Sequence, residues 1–290
     1  MANRRVLVKR RKSVRNIRKI TRTMQLIATA RFQAAFNRAV ATKPYTEKLA
    51  ELVADLSRAA GSVDHPLLQT HDDVKSAALV VITSDRGLAG GYNSNVLRTA
   101  VGHIEEQRGR GMMPRVHMVG RKGINFFKFL RREIAEQTTG LGDKPRFEQI
   151  EPIANDLMDR FIRGEIASAH VAYMRFHSAG VQRPAVVQLL PLSTEQQPGD
   201  AEARPVEYEF SPDPKQLLDE LLPATVRARL FQAFNDAIVS EQVARMVAMK
   251  AATDAAGDMI KALTREYNRA RQTQITMELL DIVGGANALS

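Results

Sequence analysis

ATVRARLFQAFNDAIVSEQVARMVAMKAATDAAGDMIKALTREYNRARQTQITMELLDIV, residues Ala224 to Val283, decides the fold. These 60 residues contain no proline and one glycine, Gly257, and are dominated by Ala, Met, Lys, Arg, Gln and Glu. A helical pattern this long without caps points to a coiled coil, a membrane span or a repeat. Arg227, Arg229, Asp236, Glu241, Arg245 and Lys250 interrupt it too often for a span. At 1.5 Å per residue the helix is about 90 Å long. Steps of four and three residues from Leu230 give Phe234, Ala237, Glu241, Ala244, Ala248, Ala251, Ala255, Asp258 and Ala262. A heptad-like stripe made mostly of alanine predicts a partner helix that approaches closely.

The partner is at the other end of the chain. Arg4 to Lys43 contains no Gly or Pro, and Val14, Ile17, Met24, Ile27, Ala28, Phe32, Ala35 and Ala39 recur at helical spacing. Pro44 predicts a kink or brief interruption, with helix again from Tyr45 to Ala60 before Gly61. Between the two helices the texture changes. Ala77 to Thr83, AALVVIT, is a continuous apolar run of the buried-strand kind, followed by a glycine-rich turn from Ser84 to Asn95 and helix to about Arg108. Further strands are expected at Arg115–Val119, Ile134–Thr138, Ala167–His177 and Pro184–Ser193, the last two as a hairpin, with helices at Ile124–Leu130 and Phe147–Arg163. The alternation predicts a Rossmann-like α/β domain of five strands with helices, flanked on both sides by helix, the two ends pairing antiparallel or parallel. The expected organisation is residues 1–60, 61–214 and 215–290.

Charge is unevenly placed. The 290 residues carry a net +10, yet residues 1–48 alone hold 14 Lys or Arg and one acid, Glu47, so the remainder is slightly acidic. There is no cysteine, which excludes disulfides, thiolate metal sites and cysteine nucleophiles. No apolar run approaches 18 residues, and the basic start leads into no apolar stretch of a secretory signal. Two alternative functions follow from these features. The basic helix suggests nucleic-acid binding by counterion release, but its only aromatics are Phe32 and Phe36 and no recognised module is present. Gly87, Gly90 and Gly91 after the first strand suggest a nucleotide-binding enzyme, but SDRGLAGGYNS lacks both GxGxxG spacing and the lysine of GxxxxGK[ST]. His71, Asp72 and Asp73 read as a surface loop rather than a metal site.

Three blocks carry a family resemblance: SVRNIRKITRTMQLIATAR at Ser13–Arg31, TSDRGLAGGYNSN at Thr83–Asn95, and Ser240 to Leu289. Their order and spacing resemble, over essentially the whole chain, the gamma subunit of rotary F-type ATP synthase. The resemblance implies that the N- and C-terminal helices form a long antiparallel coiled coil, a non-catalytic central shaft that couples proton-driven rotation of a membrane c ring to an alpha/beta catalytic hexamer and regulates ATPase activity and proton flow. It implies alpha, beta, epsilon and c-ring partners, no cofactor, no metal, no nucleic acid, and membrane association only through the complex, at the cytoplasmic face of a bacterial plasma membrane. By position, Met24, Arg245, Arg271, Gln272, Thr276 and Glu278 would contact the hexamer as a rotor catch. Tyr208, Phe210, Asp85 and Arg86 would contact the c ring or epsilon; Ser211 stands where the family often has Glu. Ile275, Met277, Leu279, Leu280, Ile282 and Val283 would form an apolar tip able to turn in a sleeve, because dispersion and water exclusion lack direction.

Overall fold

The computed structural model describes residues 4–59, 65–192 and 214–289. The elements are α1 (Arg4–Ala59), β1 (Ser76–Ile82), α2 (Tyr92–Gly109), β2 (Met113–Val119), α3 (Arg121–Phe129), β3 (Glu136–Thr138), α4 (Phe147–Ile162), β4 (Ser168–Ser178), β5 (Val181–Leu190) and α5 (Pro214–Leu289). Two compact units result, Ala30–Ala244 and Met1–Thr29 with Arg245–Ser290. The terminal helices α1 and α5 contribute to both. Among the described residues no helix is long and apolar enough to cross a membrane.

In the larger unit five strands form one sheet in the order β3-β2-β1-β4-β5, parallel except for the β4–β5 hairpin. The alternation of side chains along β1 divides the core. Leu79 and Val81 point to the face covered by α2 and α3, with Val96, Ala100, Ile104 and Phe127. Ala78, Val80 and Ile82 point to the other, with Ile150, Leu157 and Phe161 of α4, Val53 and Leu56 of α1, and Leu222, Leu230 and Phe234 of α5. With both faces covered, β1 has to read as a continuous apolar run rather than an alternating one. A third cluster joins Ala35 and Ala39 of α1 to Ile238 and Val239 of α5, with Phe36 set edge-on to Phe176 of β4 at 5.8 Å.

Two sequence expectations need correction. Pro44 does not interrupt α1, which runs unbroken for 56 residues. A helix-interior proline costs about 3 kcal/mol, and here the turn that precedes it is tied to α5. The Thr42 Oγ1 donates within its own helix, lies 2.9 Å from Gln232 Oε1 of α5, and accepts from Asn235.

The alanine seam also shifts. In the smaller unit the buried α5 residues are Arg245, Met249, Thr253 and Ala256, while Ala251, Ala255 and Asp258 are exposed. From Ile238 the buried line steps to Gln242, Arg245, Met249, Thr253 and Ala256, which places it one position beyond the expected stripe at Ala237, Glu241, Ala244, Ala248 and Ala255.

Candidate functional site

In the smaller unit α1 and α5 are antiparallel, as their contacts show. Arg11 lies over the Tyr267 ring at 4.9 Å, Arg18 approaches Gly257, and Thr21 Oγ1 is 2.8 Å from Thr253 Oγ1. Leu7 and Ala28 are buried in the same unit. Past Thr273 every α5 residue whose side chain is described is exposed, including Leu280 at 64% and Ile282 at 69%. The end of α5 therefore has no covering helix among the described residues, in accord with its register against α1.

The expected catch positions fall in different environments. Met24 is half-buried on α1. Arg245 is 7% exposed and sits in the buried line of α5. Arg271, Gln272, Thr276 and Glu278 are exposed on the far part of α5. There Thr276 Oγ1 donates to the Gln272 carbonyl at 3.0 Å and Glu278 accepts from Gln274 at 2.8 Å, bonds local to the helix. The structure thus groups four of the six on one exposed segment and leaves Met24 and Arg245 apart from them. Tyr208 and Phe210 lie outside the described residues.

In the larger unit the turn after β1 is built around Asp85. Its Oδ1 accepts the Arg121 N–H at 3.1 Å and its Oδ2 the Gly140 N–H at 3.0 Å, while Arg86 is exposed beside it. Ser84 and Asn93 close the turn through hydrogen bonds of 2.8–3.0 Å. Gly120 has φ +94°, and a Cβ there would lie 2.2 Å from the Thr83 carbonyl oxygen, so glycine is demanded by the chain itself. The adjoining crevice, about 300 Å³, opens at the carboxyl ends of β1 and β2, where a doubly wound fold receives nucleotides. Here the α3 amino terminus that would meet a phosphate is already met by the Asp85 carboxylate. Phe234, Ala237, Ile238 and Glu241 of α5 wall the crevice. The glycine-rich turn is therefore fastened by the chain's own groups.

Sequence reasoning gave no role to Asp143, in the segment between β3 and α4. Its Oδ2 takes Arg31 of α1, its Oδ1 takes Gln242 of α5 at 3.1 Å, and its carbonyl takes Arg38 of α1 at 2.8 Å. One residue ties both long helices to the sheet domain. No local pattern reveals it, since its partners lie 99–112 positions away.

A second polar constellation pins the sheet edge. His117 Nε2 is 2.7 Å from Thr138 Oγ1 and Nδ1 is 3.2 Å from Glu136, which Arg160 also holds. The order resembles a hydroxyl–imidazole–carboxylate relay, but none of these three residues lines the crevice beside Asp85. Burial pushes the His117 pKa down, against the pull of Glu136. The contacts fasten the three-residue β3 to β2 and α4.

Comparison with known proteins agrees with this arrangement. A family model described as ATP synthase matches residues 3–289. An ATP synthase gamma chain of Rhodopirellula baltica is 44% identical over 294 residues, covering 100% of this chain and 99% of that one. One of Leptospira biflexa is 41% identical over 290 residues and covers 100% of both. A chain of the Euglena gracilis mitochondrial ATP synthase F1/c-ring structure superposes with TM-score 0.67 at 18% identity, covering 99% of this chain and 94% of its own. A chain of the rotor structure of the same enzyme gives 0.63 at 16%, covering 94% and 98%. At that identity the likeness speaks to fold alone. The full-length relatives at 41–44% identity establish the rest: this chain belongs to the ATP synthase gamma chain family.

Proposed function

We propose that this chain is the central rotor shaft of a proton-driven ATP synthase, a non-catalytic subunit that couples c-ring rotation to the conformational cycle of the alpha/beta hexamer. The observation that carries the proposal is the full-length match to gamma chains, on a chain whose two ends form an antiparallel helix pair. In this reading residues 1–60 and 215–290 are shaft and 61–214 the foot, peripheral to the membrane on the cytoplasmic face of a bacterial cell. Alpha and beta surround the shaft, and epsilon and the c ring meet the foot.

The chemistry is performed by neighbours, and the shaft biases it. Shaft angle acts as an effector whose contacts differ between open and closed hexamer states. Moving such an equilibrium from 1:99 to 99:1 takes about 5.5 kcal/mol of differential contact. Arg271, Gln272, Thr276 and Glu278 are assigned to the catch and Met24 to passage of the moving hexamer domains. Arg245 takes part from within the helix pair, where a change in its pairing would alter the shaft's outline. The basic face bearing Arg15, Arg18 and Arg22 is assigned to acidic loops of the hexamer, giving attraction spread over many angles. Arg86, displayed by the turn that Asp85 fastens, is assigned to epsilon or the ring, together with Tyr208 and Phe210.

The test is reconstitution with alpha and beta subunits and a bead attached to the foot. Unidirectional, ATP-driven turning of this chain is expected. A hexamer that hydrolyses ATP at full rate while this chain stays still, or assembles without it, overturns the reading.

A further inference from the structure

A second cavity of the larger unit, about 1030 Å³, is a cleft at the amino-terminal ends of β1 and β2, opposite the crevice beside Asp85. Lys75 precedes β1, Arg108 ends α2, Arg115 lies on β2 and Arg132 follows α3, and all four line it; Glu133 is its one acidic lining residue. Arg132 Nη2 reaches Glu105 at 2.7 Å, but its Nη1 is buried without a hydrogen-bond partner. The side chains of Lys75 and Arg115 are exposed and pair with none of the described residues. Apolar surface runs between the cations, from Met112, Ile134 and Met113, the last 74% exposed. An orphaned buried guanidinium N–H costs free energy unless something outside the chain accepts from it.

The local backbone selects the kind of acceptor. Both α2 and α3 turn their carboxyl ends toward this cleft, so the helix dipoles disfavour a compact, highly charged anion such as a phosphate. Strand addition is also blunted, because Pro114 has no N–H to offer at the β2 edge. What remains is recognition by side chains, with cations from four different elements around an apolar floor. That suits separated carboxylates on an extended backbone, which guanidinium forks bind well.

We propose that this cleft receives an extended acidic segment of a neighbouring polypeptide, its carboxylates taken by Arg115, Arg132 and Lys75 and its apolar side chains by Met112, Met113 and Ile134. The proposal rests on the rotor reading only for the assembly in which it is tested. Met113 is replaced by the photo-cross-linking residue p-benzoylphenylalanine in the full chain. The assembly that co-purifies from gently solubilised membranes is then irradiated, and the cross-linked peptide is identified by mass spectrometry. The expected product joins residue 113 to an Asp/Glu-rich segment of another subunit. Adding Lys75→Glu with Arg115→Glu is expected to cut its yield about tenfold or more while subunit content and thermal midpoint hold, since both side chains are exposed and unpaired. A product with lipid, with this chain itself or with a neutral or basic segment overturns the proposal, as does no product or one indifferent to the charge reversals. The subunits that co-purify report separately on the rotor reading.

Discussion

The same helix, α5, meets three environments. From Leu217 to Ala244 it is buried on most sides, against α1, α4 and the sheet. From Arg245 to Ala256 it presents one buried line to α1, built from small, polar and flexible residues, and as far as Thr273 only half-buried residues continue it. From Gln274 onward no described side chain is buried. All three sections are helical, so environment rather than helix propensity sets what each section does. The first section is fixed in a core, the second is held by a single seam, and the third keeps its apolar side chains uncovered for contact outside the chain.

The sharpest way to break this comparison is to remove bulk at its two ends. Phe234→Ala, at a site 2% exposed, is expected to cost about 3–5 kcal/mol in urea unfolding. Leu280→Ala, at a site 64% exposed, is expected to stay within about 0.5 kcal/mol. Similar losses at both sites would erase the distinction. The seam is tested one residue apart. Ala256→Glu buries a carboxylate in the helix pair and is expected to destabilise it by about 2 kcal/mol or more, whereas the exposed neighbour Ala255→Glu is expected to be near neutral. Hydrogen exchange at residues 245–260 reads both, and the reverse order would restore the strict heptad seam.

Asp143→Ala strips the shared acceptor from Arg31 and Gln242. The ion pair is about a third exposed, so solvent screening limits the expected loss to about 1–2 kcal/mol. In the assembled enzyme, proton pumping per ATP hydrolysed is expected to fall more than hydrolysis itself; unchanged coupling would remove Asp143 from force transfer. The body should also be sensitive to acid. Burial and the His103 ring, 4.7 Å away, push His170 down to about 4. The unfolded chain takes up this proton near 6.5 and the folded chain only near 4, so stability falls as pH falls through that window. Burial lowers His65, His103 and His117 in the same sense. His170→Asn is expected to flatten the slope, seen in thermal midpoints between pH 7 and 4.5. Thr253→Val is expected to cost about 1 kcal/mol for the hydrogen bond to Thr21, by urea titration.

Much of the fold was legible because its signals are local and strong. The run AALVVI reads as a strand covered on both faces, and the glycine-poor, proline-poor ends leave little but helix. Pro44 did not interrupt α1, and the turn before it is tied to α5 through Thr42, a contact that no local window contains. The seam slipped because AATDAA puts alanine at both 251 and 252 and again at both 255 and 256, so composition could not choose between adjacent lines. The candidate site was legible only where family blocks mark it. Asp143 and the cleft at Arg132 arise from residues brought together across the chain.

The hydroxyl contact between Thr21 and Thr253 has a mechanical corollary. An apolar seam of small side chains would tolerate sliding by one turn, about 5.4 Å, with modest change in buried area. Such a slide here would break the bond between the two alcohols and leave each only the carbonyl of its own helix. The helices are therefore indexed against each other at one level, as by a dowel pin, and thrust along their axis meets a preferred setting.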